Sequence, residues 1–369
     1  MNLTISKENI LAGLQAVQNV VSNRTTLPIL SNVLLRAEDN RLELIATDLD
    51  VTISCSVEAA VKSPGSTTLP VKKLLGISRE LAAVELDLEV DEKNHCSLRA
   101  GPSFFKIRGL GPEEFPPVPT FKEFKQLSLP QEKIKGMLKK TSFAISSDES
   151  RYVLNGIFLS LKEHKLTMVA TDGRRLSLVD EEVDVAESSQ GEFIVPGKAV
   201  NELNRLLQDK GEVEIQFTEN QAAFTLKDEK GGKILLITKL IEGNYPNYRQ
   251  VIPNETKERV PLPREEFLHA LKRAEIMTSE KQNSVRLNFT KNSLAITANS
   301  PDVGEARESL AINYKGKDVA VAFNPAYLIE PLLALGGDEV FLELIDELSP
   351  GVLKSSVPFL YVVMPMRLN

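Results

Sequence analysis

The sequence has no tryptophan, two cysteines and three histidines among its 369 residues. Each scarcity excludes something. Cys55 and Cys96 are too few for a disulfide framework and point to a reducing compartment. His95, His164 and His269 have no partners at metal-ligand spacing. The adjacent His95-Cys96 pair suits neither zinc chelation nor a nucleophile with its base. No G-x-S-x-G elbow, Walker loop or G-x-G-x-x-G occurs, and Gly-Gly-Lys at 231–233 lacks the rest of a phosphate loop. No stretch approaches the ~20 apolar residues of a membrane helix. The start, MNLTISKENI, lacks the basic-then-apolar order of a signal peptide. The expectation is a soluble cytoplasmic protein with no metal, no cofactor, no membrane partner and no catalytic centre.

What is present is an ordinary globular balance, 42% hydrophobic and 26% charged. A chain of this length fits two to four domains. Net charge is −7, from 44 Lys and Arg against 51 Asp and Glu. As an average, that disfavours a polyanionic partner. The distribution reverses this.

Three segments resemble one another: LRAEDNRLELIATDLD (35–50), LSLKEHKLTMVATDGR (159–174) and LNFTKNSLAITANSPD (287–302). Each reads as a strand, a short polar turn, a second alternating strand and a corner. The equivalent threonines Thr47, Thr171 and Thr297 are spaced by 124 and 126 residues, one third of the chain. Pro70, Pro196 and Pro325 keep a similar step, each where a strand gives way to a helix. Pro130 and Pro263 stand at or near first helical positions, where a missing N–H costs nothing. Such a period means repeated domains rather than a solenoid. Pro-rich joints near 115–124 and 251–263 cut the chain into 1–122, 126–251 and 252–369. The fold class is α+β in three tandem copies, each with two helices and roughly six to eight antiparallel strands.

The spacing predicts helices over 6–24, 71–81, 130–147, 197–210, 263–281 and 324–335. Together they hold 16 Lys and Arg against 10 Asp and Glu, so the remainder of the chain carries −13. In the third, Ile134, Leu138, Thr141 and Ile145 make an apolar stripe, and Lys133, Lys135, Lys139 and Lys140 point away from it. One basic face alone is ordinarily a solvated surface. Several in a tandem repeat suit contact with duplex phosphates without reading of bases.

At RTTLPILSNVLL, SRYVLNGIFL, MVATDGRRLSL, EGNYPNYRQVIP, ITANSP and YVVMPMRLN the chain resembles the bacterial sliding clamps, the beta subunits of the replicative DNA polymerase III. The resemblance runs from end to end. It implies a DNA-clamp domain in each third and a head-to-tail homodimer closing as a six-domain ring. Twelve helices at ~10 Å spacing would enclose an opening of ~28 Å, wide enough for a duplex and its water. Such a ring tethers the polymerase and does no chemistry.

The resemblance carries DNA contact onto Arg24, Lys72, Lys73, Asp148, Tyr152, Val153 and Lys198. Asp148 replaces a neutral polar residue of related clamps, and Val153 a second tyrosine. It carries partner-peptide binding onto Leu154, Thr171, Gly173, Arg174, Arg175, Leu176, Pro246 and Val251, with Val362, Met364, Pro365, Met366 and Arg367 from the tail. Gln250 replaces a basic residue of some relatives. An apolar, Met-containing chain end suits a groove serving many ligands, since thioethers repack cheaply; VVMPM also reads as a last core strand. The ring interface falls on Phe105 and Ile107 against Ile276 and Met277, four residues that equally suit core packing. Implied partners are a second copy, duplex DNA without sequence preference, the polymerase III catalytic subunit, an ATP-dependent loader, and other polymerases and repair proteins.

Two other functions compete. A metal-dependent DNA-processing enzyme would use Asp48 and Asp172, although their recurrence at repeat corners favours turn hydrogen bonds. A monomeric scaffold that binds no DNA would run near its chain mass of 40.8 kDa.

Overall fold

Helices form at all six expected places but stop earlier than apolar spacing suggests. The computed structural model describes residues 1–21, 27–121, 123–184, 189–228, 232–280 and 283–367. Its helices are α1 (Lys7–Val17), α2 (Val71–Glu80), α3 (Gln131–Thr141), α4 (Gly197–Leu206), α5 (Arg264–Glu275) and α6 (Pro325–Ala334). The apolar period continues beyond their ends, but the chain tightens into 3₁₀ turns at Gln18–Val20 and Ser142–Ala144. In α3 the Thr141 hydroxyl donates to the Met137 carbonyl at 2.9 Å, offering the backbone an alternative to another helical turn. Ile145 lies beyond that end, so the buried stripe is Ile134, Met137, Leu138 and Thr141.

Start signals fall as the prolines indicate, with one shift. Pro70, Pro130, Pro196 and Pro263 each end a strand directly before a helix. Pro325 is instead the first helical residue, and Asn324 takes the cap, its Oδ1 accepting from Ala326 N at 3.0 Å.

The described residues form two compact units: Met1–Lys135 with Lys198–Leu240, and Gly136–Gly197 with the chain from Ile241 onward. The cut runs through the second repeat because repeats join by backbone ladders. In the first unit Lys233–Lys239 pairs with Val51–Glu58, completing an eight-stranded antiparallel sheet. In the second, Arg175–Glu182 pairs with Leu360–Val363, again within eight strands. A five-stranded sheet ending at edge strand Ser103–Arg108 belongs to the first unit, and a four-stranded sheet with Gly304–Ala311 at its edge to the second. The first repeat holds nine strands among the described residues, one above the expected range.

Cores lie between helices and sheets. In the first unit α1 approaches the strand Arg41–Thr47 so closely that a Cβ at Gly13 would meet Leu44 Cδ1 at 2.6 Å. In the second, Phe267 and Leu271 of α5 and Leu328 and Leu332 of α6 are fully buried. Each such side chain contributes about 1.5–3 kcal/mol.

The repeated hairpins keep a two-residue turn in all three copies, pairing Glu38 with Arg41, Lys162 with Lys165 and Thr290 with Ser293. Asp39, Asn40, Glu163 and His164 all have positive φ, so the first two turns take the hand that matches strand twist. Two corners follow as expected; the third does not. Thr297 and Asn299 remain in the strand Ser293–Ser300, which pairs onward with Gly304–Ala311. Without an aspartate to gather backbone amides, the third copy runs straight past the corner position.

Candidate functional site

The first two corners share one construction. Asp48 Oδ1 accepts from Asp50 N at 3.0 Å and Val51 N at 2.8 Å. Asp172 Oδ1 accepts from Arg174 N at 2.9 Å and Arg175 N at 3.0 Å. Thr47 and Thr171 close each turn, accepting from Leu49 N and Gly173 N at 3.1 Å. Leu49, at φ 80°, occupies the left-handed position that Gly173 takes at φ 84°. Both carboxylates are committed to turns, as their recurrence suggested.

In the second unit, the Asp172 corner leads into an apolar cluster. Leu176 lies opposite Val362 on neighbouring strands. These two form one buried cluster with Val169 and Tyr248, flanked by Phe158, Tyr245, Leu178, Ile252 and Leu360. The segment EGNYPNYRQVIP folds back over the sheet, with Tyr245 stacked on Phe158 at 5.0 Å between centroids. Val251, Met364 and Met366, which follow or precede cluster residues in the chain, stay 48%, 43% and 38% exposed. Gly173, Arg174, Pro246, Gln250 and Arg367 are exposed, Pro365 is half-buried, and Leu154 is buried. The tail is pinned by backbone: Met364 N donates to Arg174 O at 2.9 Å and Met366 N to Ala322 O at 2.7 Å. VVMPM is therefore both a last strand, through Val363, and an exposed apolar end beyond it.

Sequence reasoning missed Val169, Tyr245 and Tyr248. The available signal was the pair of tyrosines three residues apart in a Pro-containing loop.

Arg175 is turned inward, its side chain 8% exposed. Its Nε reaches Asp172 Oδ2 at 3.1 Å, its Nη2 donates to Phe143 O at 2.6 Å, and its Nη1 pairs with Glu330 of α6. The guanidinium lies 4.4 Å from the Tyr327 ring centroid. Tyr361 donates to the Tyr327 carbonyl at 2.6 Å, and burial holds its hydroxyl above the ordinary tyrosine range. Arg175 thus ties its strand to α6 and to Phe143, while Arg174 faces solvent.

Lys72 and Lys73 occupy the first turn of α2, and Lys198 the first turn of α4. Lys72 and Lys198 are one repeat step apart, and neither first turn contains an acidic residue. Lys198 Nζ is ion-paired with Asp48 Oδ2. Elsewhere, Asp148 caps the 3₁₀ segment Glu149–Leu154; Ser150 donates to it and Arg151 lies 3.7 Å away, which together hold its carboxyl below the usual range. Tyr152 is 57% exposed and Val153 half-buried, both against Gly243. Arg24 lies outside the described residues.

Ile276, just past α5, is 73% exposed, and Met277 is half-buried beside Gly304. On edge strand Ser103–Arg108, Phe105 is half-buried and Ile107 buried, whereas Phe104 faces out at 56% exposure. Cys55 and Cys96 are buried, their pKa values pushed by burial up to about 11 and about 12, which leaves unreactive thiols. No helix among the described residues is long and apolar enough to cross a membrane.

Three family models match in tandem: the DNA polymerase III beta subunit N-terminal domain over 1–119, its central domain over 128–247 and its C-terminal domain over 249–367. The Beta sliding clamp of Chlamydia pneumoniae is 35% identical over 369 residues, covering both chains completely. That of Pseudomonas putida is 35% identical over 373 residues, again with full coverage of both. Among solved structures, the sliding clamp of Bartonella birtlesii bound to griselimycin matches with TM-score 0.94 at 33% identity. The sliding clamp of Pseudomonas aeruginosa bound to the same compound matches with TM-score 0.94 at 34% identity; both cover all of either chain.

Proposed function

Since the chain belongs to the bacterial beta sliding clamps, non-catalytic processivity factors of DNA polymerase III, we propose that two copies join head to tail in a six-domain ring around duplex DNA. The domain limits we propose are 1–122, 126–251 and 252–369. The tandem order of three clamp domains carries this reading. Two edge strands support the closure, Ser103–Arg108 in one unit and Gly304–Ala311 in the other. Among the described residues, each leaves one side of its backbone without a neighbouring strand in its sheet, a template for pairing with another chain. Phe105 and Ile107 lie on the first of these; Ile276 and Met277 lie beside the second, and the exposure of Ile276 supports its assignment.

DNA is held by topology, with phosphate contacts from Arg24, Lys72, Lys73 and Lys198 and a stacking or phosphate contact from Tyr152. Asp148 weakens this face less than its charge suggests, because Arg151 lies beside it. Partners dock short peptides in a groove: apolar anchors enter against the exposed Val251, Met364 and Met366, with the buried Leu154, Leu176 and Val362 packed behind them, while Thr171, Gly173, Arg174, Pro246, Pro365 and Arg367 shape its rim. The partners we propose are the polymerase III catalytic subunit, an ATP-driven loader, and other polymerases and repair proteins, in the cytoplasm. Mass in solution is the first test. Sedimentation equilibrium at micromolar concentration is expected to give about twice 40.8 kDa; a persistent single-chain mass would remove the ring.

A further inference from the structure

We propose that Asp48 restrains Lys198, and that this carboxylate limits how strongly the proposed DNA face grips phosphate. The inference rests on the reading of Lys198 as a DNA contact and deepens it. Lys198 stands on the first turn of α4, where the partial positive charge of the helix end disfavours a cation. No acidic side chain occupies that turn. Compensation comes from the first repeat instead, through the pairing of Asp48 Oδ2 with Lys198 Nζ. The Asp48 side chain is 9% exposed and that of Lys198 is 50% exposed, so the anion is fixed and the cation reaches solvent.

The two oxygens of Asp48 have separate tasks. Oδ1 holds the turn through Asp50 N and Val51 N; Oδ2 holds the lysine. Asp172 divides its oxygens likewise, Oδ1 to the backbone and Oδ2 to Arg175 Nε at 3.1 Å. There the cation is buried and serves packing. At Asp48 the cation is one that phosphate could claim. An approaching phosphate must compete with a placed carboxylate, so contact at Lys198 is weak and short-lived. That is what a sliding ring requires.

Because the tasks are separate, Asp48→Asn should keep the turn and release the lysine: the amide oxygen replaces Oδ1, and the amide nitrogen repels Nζ. Full-length protein is titrated with a fluorescein-labelled duplex by anisotropy across a range of NaCl concentrations. D48N is expected to bind about threefold to tenfold more tightly at low salt, with a salt slope steeper by about 0.9 per released lysine. A packing role alone would not steepen that slope. Asp48→Ser, which also keeps an uncharged oxygen acceptor, is the second variant with the same expected gain. Adding Lys198→Ala to D48N should erase the gain. Asp50→Asn, which breaks the neighbouring 3.0 Å pair with Lys239, should produce none.

Unchanged affinity and slope in D48N and D48S would overturn the restraint, as would an equal gain in D50N. Lys72→Ala with Lys73→Ala separates the two ideas. If that variant binds DNA less tightly while D48N changes nothing, the restraint falls and the DNA face stands. If neither changes binding and K198A is also silent, the DNA face itself falls, and the restraint with it.

Discussion

A chain ending at Val363 should lose binding of a partner peptide by about 10- to 150-fold while remaining folded and dimeric. The buried pair behind the proposed groove, Leu176 and Val362, would survive, because Leu360–Val363 is laddered on both sides, to Arg175–Glu182 and to Gly351–Lys354. What leaves is the pair of methionines that take the apolar anchors, with Pro365 and Arg367 of the rim. Met364 and Met366 are 43% and 38% exposed, so each can still bury a substantial part of its side chain against a ligand. Full burial of such a side chain contributes about 1.5–3 kcal/mol; half of that for each, taken together, is about 1.5–3 kcal/mol, and each 1.4 kcal/mol is tenfold. The cost to folding is smaller. Two backbone hydrogen bonds disappear, at Arg174 O and Ala322 O, each worth about 1 kcal/mol. Fluorescence anisotropy with a labelled peptide carrying apolar anchors, run beside sedimentation, reads both properties. Affinity within threefold of the intact chain would place the docking site elsewhere.

Charging the end of α5 should have the larger effect on assembly. Ile276 is 73% exposed, so Ile276→Asp removes little packing from a single chain. Across a closed interface the same carboxylate would be desolvated without a partner, at a cost of several kcal/mol. A two-fold related pair of interfaces doubles the penalty per ring. Ile276→Asp with Met277→Asp is expected to sediment near 40.8 kDa with its far-UV circular dichroism retained. Met277 touches Gly304 within its own unit, so the single Ile276 variant separates assembly from folding. An unchanged dimer mass would show that the interface lies elsewhere.

Local chemistry made much of the fold legible. Two-residue turns at Asp39-Asn40 and Glu163-His164 follow from alternating strands around short polar pairs, and prolines mark the strand-to-helix junctions. Helix ends were harder to read, because the apolar period of the third helix runs through Ile145 while hydrogen bonding from Thr141 ends it earlier. The third corner was misread for a related reason. A threonine and an asparagine look like its counterparts, but the aspartate that organises the turn is missing. Met364, Pro365 and Met366 stand in one short motif near the chain end, whereas Tyr245 and Tyr248 acquire their places only when the loop folds back on Phe158. Arg175 has a local partner in Asp172, but its pairing with Glu330, 155 residues away, is encoded by no local pattern. The pairing of Lys198 with Asp48, 150 residues apart, is hidden in the same way.

The central claim, that duplex DNA is held by passing through a closed ring, is tested by retention on circular and linearised DNA. Purified protein is loaded with an ATP-dependent clamp loader onto nicked circles, half of which are then cut once, and the bound protein is measured by gel filtration. A topological ring stays on the circles and is lost from the cut molecules as it runs off their ends. Equal retention on both would mean ordinary surface binding, and would contradict the ring.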